Sequence, residues 1–234
     1  MSIWIIATIL AFFIKGLCGF ANTLVFSTIL SFQTNNINIS PIDLIIGYFP
    51  NMIMSYKERK HIQLKICIPL IILILLGNIP GIFLLKNADV QIIKLLFGFV
   101  IIGIGIEMLL QNNKKTSPLI LTCIGLLSGF LCGLYGIGAL LAAYVSKITN
   151  DTQSFKGNIC FVFTLENTFR ILIYSYLGIL TIHSIYQALS LIPFMLIGLF
   201  LGIKCSQYIN EQTTKRIVII MLMISGLALI INNI

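Results

Sequence analysis

Charge is what this sequence has least of. Only 9% of its 234 residues are Asp, Glu, Lys or Arg, against about 25% in soluble domains. Hydrophobic residues make up 58% and the mean hydropathy is +1.04, so no separate soluble domain fits. The runs 66–85 and 118–146 carry no charge, and 3–32 carries only Lys15. Such runs approach the roughly 20 apolar residues that cross a bilayer core. The chain therefore reads as an all-α, polytopic protein of the cytoplasmic membrane, with the lipid bilayer as its solvent.

Acidic residues are scarcer than basic ones, 7 against 15, for a net charge of +8. The basic residues are spread through short loops between spans, as orientation signals require, so the excess does not point to nucleic acid. The two histidines, His61 and His183, stand near expected span ends without metal-ligand spacing. Six cysteines lie mostly inside apolar runs with no C-x-x-C pair. They read as small packing residues, which excludes a disulfide framework and a zinc site. No Walker sequence, nucleophile elbow or H-E-x-x-H occurs, so ATP-driven transport by this chain alone and common hydrolytic chemistry are unsupported. We expect no catalytic residue, metal or cofactor. A basic leader and an A-x-A-like cleavage site are also missing, so the first segment is expected to stay in the fold.

What is present is a duplication. Gly16-Leu17-Cys18-Gly19-Phe20-Ala21 returns 117 positions later as Gly133-Leu134-Tyr135-Gly136-Ile137-Gly138. Further along, at an offset of 121, Gly77 and Gly81 match Gly198 and Gly202, Lys94 matches Lys215, and Gly105 matches Gly226. The expected organisation is two homologous transmembrane halves, 1–112 and 118–234, joined by a linker at 113–117. Each half holds a glycine-broken segment, crossing or re-entrant, plus three helices. The first half reads as 3–32 (broken near 16–22), 41–56, 66–85 and 90–110. The second reads as 118–146 (broken near 133–138), 158–180, 185–203 and 215–231.

Charge arbitrates between the two topologies, because cytoplasmic loops are enriched in Lys and Arg. If both broken segments cross, six basic residues fall on one side and seven on the other. If both turn back as hairpins, Lys86 and Lys94 face eleven others across the membrane. The second bias is the stronger, and it inverts the halves relative to each other. It places 33–40 outside as a loop, along with both termini.

Each motif has a bland and a functional reading. Small residues three or four apart let helices pack closely in lipid, which accounts for Gly77, Gly81, Gly98, Gly105, Gly198 and Gly202. For Gly16, Gly19, Gly133, Gly136 and Gly138 the functional reading is stronger, since they are dense, duplicated and mid-segment. A broken helix exposes backbone N–H groups and the positive end of a half-helix, which together attract anions. Duplicated broken helices are the pattern of secondary transporters.

Lys15 is the sharpest single residue, a cation beside the first break where charge costs roughly 2.5–3.5 kcal/mol. Its bland reading is snorkelling to an interface. Glu166 and Arg170, four apart, form either a self-neutralised pair or an anion site in which Arg170 binds and Glu166 couples an ion or proton. Asn22, Asn51 and Asn167 are candidate polar ligands. Asp43 and Glu107, near span ends, are expected at the interface.

At these glycines the chain resembles the sulfite exporter TauE/SafE-type family of membrane permeases. The similar features are the size, the two halves, and a G-x-x-G-[FIL]-G-like motif in each. The motif reads Gly16-Leu-Cys-Gly19-Phe-Ala21 in one half and Gly133-Leu-Tyr-Gly136-Ile-Gly138 in the other. The repeated pattern Gly77-x-x-x-Gly81 and Gly198-x-x-x-Gly202 also fits the family. Two departures stand out: the usual double glycine is reduced to Gly138-Ala139, and the proline that commonly follows is absent from both copies. The resemblance implies export of a small anion, sulfite or an organosulfonate among them. The reading from another class is a non-transporting membrane subunit or scaffold whose glycines serve packing alone.

Overall fold

The computed structural model describes residues 2–18, 21–87, 89–110, 118–149, 151–205, 208, 219–220, 223, 226–227 and 230–231. Within these it is all helical. In chain order the helices are α1 (Ser2–Cys18), α2 (Asn22–Ser31), α3 (Asn36–Lys57), α4 (Leu64–Asn87), α5 (Val90–Leu110), α6 (Pro118–Tyr135), α7 (Ala139–Ile148), α8 (Thr152–Tyr176) and α9 (Ile182–Cys205). A single 3-10 turn, Arg59–His61, lies between α3 and α4. The linker 113–117 falls outside the described residues, as does most of the expected helix 215–231.

Both breaks occur where the glycine motifs place them. α6 stops because Gly136 adopts φ 76°, a conformation open to glycine at little cost. Its N–H donates to Cys132 C=O at 2.8 Å, which closes the helix as a left-handed cap. On the other side Ala21, before α2, holds φ 72° without being glycine, a rare choice for a residue with a Cβ.

Other boundaries differ from the expected ones, for local reasons. α3 starts at Asn36, inside the loop expected over 33–40, and carries Pro41 and Pro50 within it. Proline inside a helix removes one backbone bond, which membrane bundles tolerate. α8 starts at Thr152 because the exposed Asp151 side chain accepts from Ser154 N–H at 2.7 Å, an N-cap. That bond holds the Asp151 carboxyl below the usual carboxylate range. α8 ends early because Gly178, at φ 70°, lets Ile179 N–H reach back to Tyr174 C=O at 2.9 Å.

Small residues set the closest helix contacts. α4 and α6 run parallel, with Ile74 on Gly129 and Asn78 on Gly133. An added Cβ at Gly77 or Gly81 would overlap the carbonyl of Leu126 or Phe130. α1 and α9 make a similar parallel seam, in which Gly198 meets Ile9 C=O, Gly202 meets Phe13 C=O and Gly16 meets Leu199 C=O at 2.6 Å from its would-be Cβ. Without a hydrophobic drive between helices in lipid, such backbone approach supplies the attraction.

α3 and α8 cross the centre antiparallel, pairing Ser40 with Tyr174 and Tyr48 with Thr168. α8 runs with α4, since Cys67 meets Asn158 and Asn78 meets Glu166. α6 and α8 therefore point the same way, so α7 between them must return. Its Leu141 and Val145 pack with Leu70 and Ile159, towards the starts of α4 and α8. α2 likewise folds back along α1, as the Trp4 and Phe26 rings lie 5.9 Å apart.

The polarity is the reverse of a soluble domain. Outward faces of α4 and α9 are apolar, with Ile68, Ile72, Leu76 and Phe83 exposed on one and Leu189, Leu196 and Phe200 on the other. Inside are Lys15, Asp43, Asn51, Asn78, Glu166, Asn167 and Arg170, all buried. Exposed apolar area on this scale marks a lipid-facing surface. By length and composition, Leu64–Asn87 and Ile182–Cys205 can each cross a membrane.

Candidate functional site

The two helix breaks meet at one cavity. Ala21, Asn22 and Thr23 come from the first break, Gly136 and Gly138 from the second; α3 adds Asp43, Gly47 and Asn51, and α8 adds Phe163, Glu166, Asn167 and Arg170. The cavity is small, about 40 Å³. A single water needs about 10–15 Å³ on that measure, so the space suits an ion of a few atoms. Both α2 and α7 begin at its wall, which turns two positive half-helix ends towards it.

Arg170 is the central cation. Its Nη2 donates to Ser40 Oγ at 2.8 Å and Tyr174 Oη at 3.0 Å. Its Nη1 lies 3.5 Å from Glu166 Oε1, which also accepts from Asn78 Nδ2 at 2.9 Å. Tyr174 in turn donates to Gly133 C=O at 3.3 Å. The guanidinium sits directly against the second break: a Cβ on Gly136 would stand 3.2 Å from Nη1 and 3.1 Å from Thr23 Cγ2. Glycine there keeps the backbone, the guanidinium and the first break in one wall.

Lys15 is buried and does not snorkel. Its Nζ donates to Asn51 Oδ1 at 2.8 Å, and Asn51 lines the cavity. Lys15 thus acts one link behind the wall. Asp43 corrects the expectation of an interfacial residue: it is buried, and its Oδ2 accepts from the Thr23 hydroxyl at 2.5 Å. Lys15, Arg170, Asp43 and Glu166 sum to zero charge, which makes four buried ions bearable in a low-dielectric interior.

Of the residues expected from the sequence, Asn22, Asn51, Gly136, Gly138, Glu166, Asn167 and Arg170 line the cavity. Gly16 and Gly133 sit instead in the α1–α9 and α6–α4 seams, so their immediate role is close packing. Gly19 and the Glu107 side chain lie outside the described residues. Reading by sequence missed Thr23, Ser40, Asp43, Asn78 and Tyr174. A signal existed for Asp43, since Asp43, Gly47 and Asn51 recur every four residues and share one face of α3. None existed for Asn78, whose partner is 88 positions away.

Among the described residues no group of His, Cys, Asp and Glu is placed to hold a metal ion. The arrangement offers backbone N–H groups, a guanidinium and amide donors to a small anion. Comparison with curated proteins and with solved structures gives no match. The family profile described as "Sulfite exporter TauE/SafE" matches residues 4–229. This chain belongs to the TauE/SafE sulfite exporter family of membrane-integral transporters.

Proposed function

We propose that this protein is a secondary transporter that exports a small anion, sulfite or an organosulfonate, across the cytoplasmic membrane through the cavity between its two helix breaks. One observation carries the reading: Arg170 and the starts of α2 and α7 converge on a space sized for an ion of a few atoms. Converging half-helix ends plus a buried guanidinium favour negative charge at this point.

The same reading makes 1–112 and 118–234 inverted repeats with re-entrant hairpins. α2 and α7 have 10 residues each, about 15 Å, half a hydrocarbon core. The seams support the duplication, since Gly77 on Leu126 and Gly81 on Phe130 correspond by sequence offset to Gly198 on Ile9 and Gly202 on Phe13. The ends of α3, α4, α8 and α9 bearing Lys57, Lys65, Lys156 and Lys204 then face the cytoplasm. Single cysteines introduced at exposed positions within 33–40 and within 147–156 are expected to label from opposite sides.

The direct test is flux of labelled sulfite in liposomes holding the purified protein. We expect saturable movement that Arg170→Met suppresses in a folded protein. No flux for sulfite or for methanesulfonate would overturn transport and favour a membrane scaffold.

A further inference from the structure

We propose that Asp43 is the proton-carrying residue of this transporter and that Thr23 converts its protonation into anion binding, so that one proton moves with one monoanion. The proposal rests on the transport reading above and assigns its coupling.

Two buried carboxylates line the cavity, and their surroundings differ. Glu166 shares one oxygen between Asn78 and Arg170 at 2.9 and 3.5 Å, so its charge is held in place. Asp43 accepts a hydrogen bond from Thr23, with the Asn22 amide also beside it, and its Oδ1 is buried with no donor in hydrogen-bonding geometry. An orphaned carboxylate oxygen in a low-dielectric wall is costly. A proton on the Thr23-bonded oxygen lowers that cost by neutralising the carboxyl, since an unpaired carbonyl oxygen costs less than an unpaired carboxylate oxygen. Asp43, not Glu166, is therefore free to gain and lose a proton.

The charged groups around Asp43 set the stoichiometry. Arg170 acts on it from α8, Glu166 shares the same cavity wall, and Lys15 stands behind Asn51 on the α1 side. α2 contributes only the neutral Asn22 and Thr23. α9, which packs along α3, adds no side chain to the lining. With Asp43 ionised the set is neutral. With Asp43 protonated it is +1, which a hydrogen sulfite or sulfonate monoanion neutralises. An anion entering beside ionised Asp43 would instead leave a net buried negative charge.

Thr23 supplies the link. Its one hydroxyl proton is spent on Asp43 Oδ2 while the carboxylate is ionised. A proton added at Oδ2 reverses that bond: Asp43 donates to Thr23 Oγ1, and the threonine hydrogen turns to the cavity as a donor for the anion. The proton enters with the anion from the water on the open side, and both leave on the other side, so net export runs where the outward anion gradient exceeds the inward proton gradient.

The test uses the full chain in liposomes with labelled sulfite under mildly acidic conditions, with protein-free vesicles subtracted. For wild type we expect exchange to rise as pH falls. A gradient of one pH unit should support up to about tenfold accumulation, with no response to an imposed potential. Asp43→Asn, shaped like the protonated acid, should lose gradient-driven accumulation, and the exchange it retains should no longer rise as pH falls. The ionisation of sulfite is common to both proteins, so the difference belongs to Asp43. Thr23→Val should lose the acid-stimulated part of exchange while remaining folded, and it carries the test if Asp43→Asn does not fold. Wild-type accumulation by Asp43→Asn, a sodium gradient replacing the pH gradient as driver, or full acid-stimulated exchange by Thr23→Val would each overturn the assignment. Wild type that moves no sulfite at all sinks the transport reading instead.

Discussion

Lys15 Nζ donates to Asn51 Oδ1 at 2.8 Å, joining the last turn of α1 to the cavity-lining face of α3. The cation reaches the cavity through an amide and so orients a ligand more than it touches one. Lys15→Met should weaken apparent sulfite affinity only about threefold to tenfold, on the scale of ~1 kcal/mol for one hydrogen bond. Initial uptake rates against sulfite concentration check this. A loss as large as that of Arg170→Met would place Lys15 in direct contact with the anion.

Arg170 is expected to matter more, because its guanidinium lies in the wall itself. Arg170→Met should lower affinity by tenfold to more than a hundredfold, as about 1.5–3 kcal/mol for bonds to a charged group implies. It also leaves Glu166 buried with Asn78 as its remaining hydrogen-bond partner, so thermal stability should fall too. The double change Glu166→Gln with Arg170→Met should recover melting temperature but not flux. Full flux in that double variant would reduce the pair to a structural role.

Gly136 carries two independent constraints, a φ of 76° and the nearness of Arg170 and Thr23. Gly136→Ala should cost about 1–2 kcal/mol from the left-handed conformation alone and should slow flux further by displacing the guanidinium. Gly103, on α5, has nothing within 4 Å of its would-be Cβ. Gly103→Ala, inside a helix with room for the methyl, should stabilise by about 0.5–1 kcal/mol. Thermal melts in detergent of the two variants, side by side, give the comparison; equal melting temperatures would refute it.

The seam glycines make a different prediction. A Cβ at Gly77 or Gly198 meets backbone carbonyl, which cannot rotate away. Gly77→Val and Gly198→Val should each separate a helix pair, at a cost of about 1–3 kcal/mol or more. Both should shift the protein towards aggregates on size exclusion and reduce yield to a similar degree, since the two contacts are equivalent in kind. A monodisperse Gly198→Val beside an aggregated Gly77→Val would show that the seams are not equivalent.

Much of this protein was legible before any coordinates. The near absence of charge dictated the solvent, and the paired glycines at 16–21 and 133–138 marked where helices break, because backbone preference acts locally. The family resemblance rested on those same residues. Helix starts were less legible: Asp151 caps α8 through a single bond that hydropathy does not register, and α3 begins at Asn36 with no side-chain cap to announce it.

Only the tertiary structure decided which residues share the cavity. Asn22 and Gly136 declared themselves by position, yet Asp43 looked interfacial and Asn78 looked like filler between seam glycines. Asp43 is buried because α2 folds back and covers it with Thr23, and Asn78 reaches Glu166 because α4, held on α6 by the glycine seam, also packs along α8. Distance along the chain carries no trace of such contacts. Sequence determines the solvent, the breaks and the available charges, and helix packing determines which charges must balance one another in the dark of the core.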